Sequence, residues 1–142
     1  MTSERGKADD EGLRALLDRH GMRVTTQRLA VLRALGAAKG PRSHGELADE
    51  LVATGMDRAT VYRNLMALAE AKILLRTLIS DGVFRFELLR EEGRAHEQHP
   101  HLVCTECGQV RCLPKRSVSV RPGLGDVSEV QLRGRCLACV QG

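Results

Sequence analysis

Aromatic side chains are nearly missing from this chain of 142 residues, which has no tryptophan, one tyrosine and two phenylalanines. Platforms for single-stranded nucleic acid stack bases on aromatic faces, so the scarcity argues against that class of function. No apolar run approaches the roughly 20 residues needed to cross a bilayer, and no membrane partner is expected. The opening stretch MTSERGKADD lacks the apolar segment of a secretory signal, so the chain is expected in the cytoplasm with its thiols reduced. Charge of one sign does not dominate either: 22 Lys and Arg stand against 18 Asp and Glu, for a net charge of +4. A pI near 9.0 is compatible with nucleic acid as a partner but does not establish one. The length allows one ordinary domain or two small ones, each with a limited core.

What the chain does have is a cysteine pattern. Cys104-Thr-Glu-Cys107 and Cys136-Leu-Ala-Cys139 are two Cys-x-x-Cys knuckles. Two thiolates separated by two residues bite one metal from a single tight turn, and a second pair completes the tetrahedron of a structural zinc site. Such a site is closed and leaves no open position for catalysis. Two disulfides are the alternative, but reduced thiols in this pairing favour metal. His99 and His101 stand just ahead of the first knuckle and offer nitrogen ligands that a Cys₄ site does not need. Two metals with two different jobs are expected.

Read in order, residues 1–9 are polar and of mixed charge and are expected to form a flexible arm. Leu13, Leu16 and Leu17 then recur at helical spacing, with Gly21 placed to stop the helix. A second helix opens at Thr25 or Thr26 and carries Leu29, Leu32 and Leu35. Ser43-His-Gly-Glu46 has the capping-box pattern, and Leu47 and Leu51 give the third helix its buried side. Asp57 caps a fourth helix, Arg58 to Leu68, with Val61, Leu65 and Leu68 facing inward. Ile73 to Ile79 and Val83 to Leu89 then flank the turn Ser80-Asp81-Gly82 as a β-hairpin. Helices followed by a two-stranded hairpin read as a winged helix-turn-helix, whose last helix lies in the DNA major groove. Further strand-like runs fall at His101–Cys104, Gln109–Leu113, Ser117–Val120 and Val127–Leu132, and both knuckles are expected in turns of this β region. The fold class is α+β. A winged-helix domain is expected over 10–90 and a hinge over 91–99. A small, shortened α/β or mainly β domain with the Cys₄ site follows over 100–142.

Several pieces combine into a family resemblance. Arg23-Val-Thr-Thr-Gln-Arg28 lies at the second helix and Ala59-Thr60-Val61-Tyr62-Arg63-Asn64-Leu65 on the fourth. Phe86-Glu87-Leu88, His99-Pro-His101-Leu-Val-Cys104-Thr-Glu-Cys107-Gly108 and Gly134-Arg-Cys136-Leu-Ala-Cys139 follow. From about Gly21 to Cys139 the chain resembles the ferric uptake regulator family of bacterial metal-sensing repressors. The resemblance implies a homodimer on a palindromic double-stranded operator, with a regulatory metal near the hinge acting as corepressor. It places Tyr62 and Arg63 on DNA, with Thr60 beside them. Arg58 and Asn64 are expected to position phosphates, and Arg23 to reach the backbone or minor groove. It implies that Glu87, His99 and His101 form the regulatory site.

The chain also departs from the family pattern. The usual histidine before the third helix is replaced near Pro41 or Arg42, and His44 sits inside the capping box. Cys112 stands where a carboxylate is often found, so it is either a ligand or a small core residue; His96 is solvated or a replacement ligand. Gln98 and Pro100 occupy positions of a further metal site. The segment 114–127 is short and holds Pro122, Gly123 and Gly125 where a dimer-supporting helix is expected. A thiolate beside Glu87 and the two histidines shifts preference toward Zn²⁺ over Fe²⁺ or Mn²⁺. Three other readings remain: an iron- or manganese-dependent iron or peroxide sensor, a zinc-dependent or thiol-redox enzyme, and a DNA-binding module with structural zinc only.

Overall fold

Leucines spaced along helical faces build the first half of the molecule. In a computed structural model, residues 2–38, 40–89 and 99–142 are described, with the backbone alone over 2–9. Helix α1 (Thr2–Arg19), α2 (Thr26–Ala37), α3 (His44–Leu51) and α4 (Arg58–Glu70) precede the hairpin β2 (Leu74–Leu78) and β3 (Phe84–Leu88). A two-residue strand β1 (Arg42–Ser43) joins the hairpin as its third strand, in the order β1-β3-β2. The caps fall where the side chains dictate. Thr25 accepts from the Arg28 amide, Ser43 and Glu46 close a full capping box, and Asp57 accepts from the Thr60 amide at 2.7 Å. Leu17, Leu32, Leu47, Val61, Leu65 and Leu68 are completely buried, and Leu13 is only partly so. Gly82 takes a φ of +81° in the hairpin turn, which a side chain would resist.

Where a flexible arm is expected over 1–9, α1 already runs from Thr2. Apolar periodicity begins only at Leu13, but Glu4, Arg5, Lys7 and Ala8 are good helix formers without any apolar face.

The second half is a small sheet in the order β5-β4-β6, built from β4 (His101–Cys104), β5 (Val110–Cys112) and β6 (Gln131–Gly134). β4 pairs antiparallel with β5 and parallel with β6, so 113–130 is the crossover between the outer strands. Two expected strands are corrected here. Ser117–Val120 forms none, because a 3₁₀ turn at Lys115–Ser117 precedes unpaired backbone. The run expected at Val127–Leu132 is a strand only from Gln131, where its partner His101 begins. A short helix α5 (Leu137–Gln141) was not anticipated, and Cys136 caps it, so the second knuckle opens a helix rather than sitting in a β turn. Apart from His99, the hinge expected over 91–99 lies outside the described residues, as does His96.

Candidate metal centres and recognition helix

The knuckles converge. Cys104 and Cys107 lie at the end of β4 and in the turn after it, and Gly108, at φ +76°, bends the chain so that its amide meets the Cys104 carbonyl at 3.1 Å. Cys136 and Cys139 come from the start of α5. The parallel pairing of Cys104 with Gly134 carries the second knuckle alongside the first. Sγ–Sγ distances are 3.8 Å for both Cys104–Cys139 and Cys107–Cys136. A tetrahedral zinc with Zn–S bonds of ~2.3 Å separates its sulfurs by ~3.8 Å, so the four thiols fit that ion. The backbone amides of Cys107 and Cys136, which donate to Cys104 Sγ at 3.4 and 3.3 Å, hold its thiol down to about 6. Cys139 is pushed up to about 12, first by Cys136 and by burial, then by its other sulfur neighbours. Four sulfurs this close share negative charge well only around a cation.

A second set of donors is assembled by strand register. His101 stands opposite Cys112 across β4 and β5, and opposed residues share a face. His99, two residues earlier, joins that face, and the two rings meet edge-on with centroids 4.6 Å apart. Glu87, buried near the base of the hairpin, closes the set from the other body. Its carboxylate lies 3.2 Å from His99 Nε2, 3.3 Å from His101 Nε2 and 3.1 Å from the Cys112 thiol, which donates to it. One donor atom from each of the four lies within 4.8 Å of all the others. Tetrahedral N and O ligands at ~2.0–2.2 Å from a divalent ion stand ~3.3–3.6 Å apart, so this set also fits a metal.

Protonation in this cluster follows its packing. Burial alone would raise the Glu87 carboxyl. Hydrogen bonds from His101 and Cys112, with the nearby imidazoles, outweigh burial and hold it below the ordinary range. Burial, the Glu87 charge and the hydrogen bond to it push the Cys112 thiol up to about 12. Cys112 is half-buried and donates to Glu87. His44 is not part of the cluster. Its Nε2 lies 2.8 Å from the Arg58 carbonyl and its ring meets Tyr62 edge-on.

The fourth helix presents all but one of the residues expected on DNA. Tyr62 is 48% exposed, and Arg58 and Arg63 project beside it. Arg58 pairs with Asp49 at 3.0 Å, and Arg63 donates to the Thr60 hydroxyl at 3.2 Å. Thr60 and Asn64 are half-buried, and Asn64 turns its amide back onto the Thr60 carbonyl. Arg23 is exposed ahead of α2, where its carbonyl accepts from the Arg28 guanidinium.

Contacts between the two bodies went unread in the sequence. A Cβ on Gly40 would lie 2.2 Å from the Val110 carbonyl, so the backbone after α2 rests directly on β5. Ile79, just beyond β2, is buried with Val103 and Val110 of the second sheet. Gln131 reaches back to the hairpin. Periodicity reports which face of an element is apolar, not which distant element covers it.

Comparison with known proteins adds the following. The profile of the Ferric uptake regulator family matches residues 19–122. The ferric uptake regulation protein of Shigella flexneri is 33% identical over 113 residues, covering 75% of this chain and 71% of that protein. Its namesake from Bacillus subtilis (strain 168) is 54% identical over 52 residues, covering 37% of this chain but only 34% of that protein. A zinc uptake regulator solved in complex with zinc and DNA shares the fold, with a TM-score of 0.64, 23% identity, and coverage of 99% of this chain and 97% of that one.

Proposed function

Because the chain belongs to the ferric uptake regulator family, we propose that it is a cytoplasmic, homodimeric repressor that binds a palindromic operator when a regulatory zinc is held by Glu87, His99, His101 and Cys112. Members of this family regulate transcription and are not enzymes. The observation that carries the metal-dependent reading is the origin of the four donors. One comes from the hairpin of the winged helix and three from the C-terminal sheet, yet all lie within 4.8 Å of one another. A divalent cation there would offset the charge of Glu87 and of a Cys112 thiolate. His99 and His101 orient their Nε2 atoms toward Glu87, and Cys112, on losing its proton to solvent, would be a soft donor that favours zinc.

The chain then acts by holding its two recognition helices about one DNA turn, roughly 34 Å, apart. Tyr62 meets a thymine methyl or a phosphate, Arg63 a guanine or phosphate, and Arg58, Thr60, Asn64 and Arg23 position the backbone. The four cysteines Cys104, Cys107, Cys136 and Cys139 hold a second zinc that is structural. The test is operator binding under zinc titration. His99→Ala with His101→Ala should keep the structural zinc and lose the zinc response; a double variant that still binds only with added metal refutes the assignment.

A further inference from the structure

Gln131 has no place in either metal centre, yet its side chain is fully engaged across the two bodies of the protein. Its Oε1 accepts from the Ser80 amide at 3.1 Å, and its Nε2 donates to the Leu78 carbonyl at 3.1 Å. The same Nε2 donates to Glu129, which fixes the orientation of the amide. The side chain thus pairs with the end of β2 as a peptide group of a neighbouring strand would. Ile79, between the two bonded residues, inserts its side chain against Val103 and Val110. Gln131 is also the register partner of His101, whose amide donates to the Val130 carbonyl.

We infer that Gln131 is a positioning residue: a second, metal-independent anchor that seats the tip of the hairpin on the C-terminal sheet. The hairpin then has two attachments. Glu87, opposite Leu75, sits at the metal centre, and Leu78 to Ser80 sit at Gln131. Leu78 lies three residue steps along the strand from Leu75, so the attachments stand roughly 10 Å apart along the hairpin. One attachment fixes a distance, whereas two fix an orientation. An anchor that favours the seated arrangement in the absence of metal raises the apparent metal affinity, because ligands bind only the fraction already competent. This last step rests on the regulatory reading of the Glu87 cluster; the seating itself does not.

Two measurements on the full-length protein separate these claims. Hydrogen exchange of the Ser80 amide in the wild type and in Gln131→Ala tests the seating. At least a tenfold acceleration is expected in the variant, with the Cys₄ zinc content unchanged. Wild-type exchange at the rate of an unstructured peptide, or no acceleration in the variant, overturns the anchor. Operator binding under zinc titration tests the coupling, using Gln131→Glu, which sets a carboxylate against the Leu78 carbonyl and Glu129. The zinc midpoint is expected to rise about tenfold, the upper end of what losing the net hydrogen bond to Leu78 produces, while the plateau at saturating zinc stays within about twofold. An unmoved midpoint, or a plateau that collapses with the Cys₄ zinc retained, overturns the coupling. A wild type that ignores zinc would refute the repressor reading instead and leave the exchange result standing.

Discussion

Cys112 shows how one side chain can carry a chemical preference. Its thiol donates to Glu87, and burial together with that carboxylate pushes it up to about 12. At pH 7 it is therefore protonated, and binding zinc as a thiolate must release that proton. Because the group titrates far above neutrality, zinc affinity should climb about tenfold for each unit of rising pH, or ~1.4 kcal/mol. Calorimetry in buffers of different ionisation enthalpy should count about one more released proton for the wild type than for Cys112→Ser. Equal counts, with the metal response intact, would make Cys112 a core residue and return iron or manganese to consideration. A second residue-scale expectation concerns Arg63→Ala. Operator affinity should fall by about 1–3 kcal/mol if the side chain reads a base. If it neutralises a phosphate, the loss should be even across sequences and the salt slope should drop by about one. The two knuckles and the His99-Pro-His101 pair were legible from spacing, whereas Glu87 entered only through the family resemblance. Gln131 was not legible, since an amide in a polar run carries no signal until its partners from the hairpin are in place.

Elements were read well where their determinants are local. The capping box at Ser43 and Glu46, the Asp57 cap and the Ser80-Asp81-Gly82 turn each formed where the residues prescribe. Arg85 reinforces that turn with a two-pronged pair to Asp81, at 3.0 and 2.9 Å, which no periodicity announces. Errors appeared where tertiary pairing decides. The backbone over Ser117–Val120 has strand-like residues but no partner, and β6 begins at Gln131 because β4 begins at His101. The helix presenting Tyr62 owes its position to packing: Val61, Leu65 and Leu68 are wholly buried beneath it. Leu65→Ala should cost about 2–5 kcal/mol, read as a lowered denaturation midpoint with unchanged slope. A loss below ~1 kcal/mol would mean that α4 is not held by this core.

The molecule as a whole divides its stability unequally. Among the described residues, the N-terminal body buries a cluster of fifteen apolar residues, whereas the second cluster holds only Ile79, Val103 and Val110, and the first of these is lent by the hairpin. Three such side chains contribute at most ~5–9 kcal/mol of burial. Zinc held by four thiolates supplies ~10–16 kcal/mol in small domains of this kind, so a zinc at the proposed Cys₄ site would outweigh the small core as support of the C-terminal sheet. Cys136→Ser should therefore release the structural zinc, disorder β4 to β6 and abolish the proposed dimer. The helical body should keep its fold and most of its circular dichroism, because its leucine core lies apart from the cysteines. It should also lose any zinc-dependent operator binding, since Glu87 would have no sheet to meet. Hydrogen exchange resolves the two halves: amides of 101–112 and 131–134 should exchange freely in the variant while those of α2 and α4 stay protected. A Cys136→Ser protein that kept its zinc and its melting temperature would show that the small core suffices alone, and the Cys₄ site would then need another role.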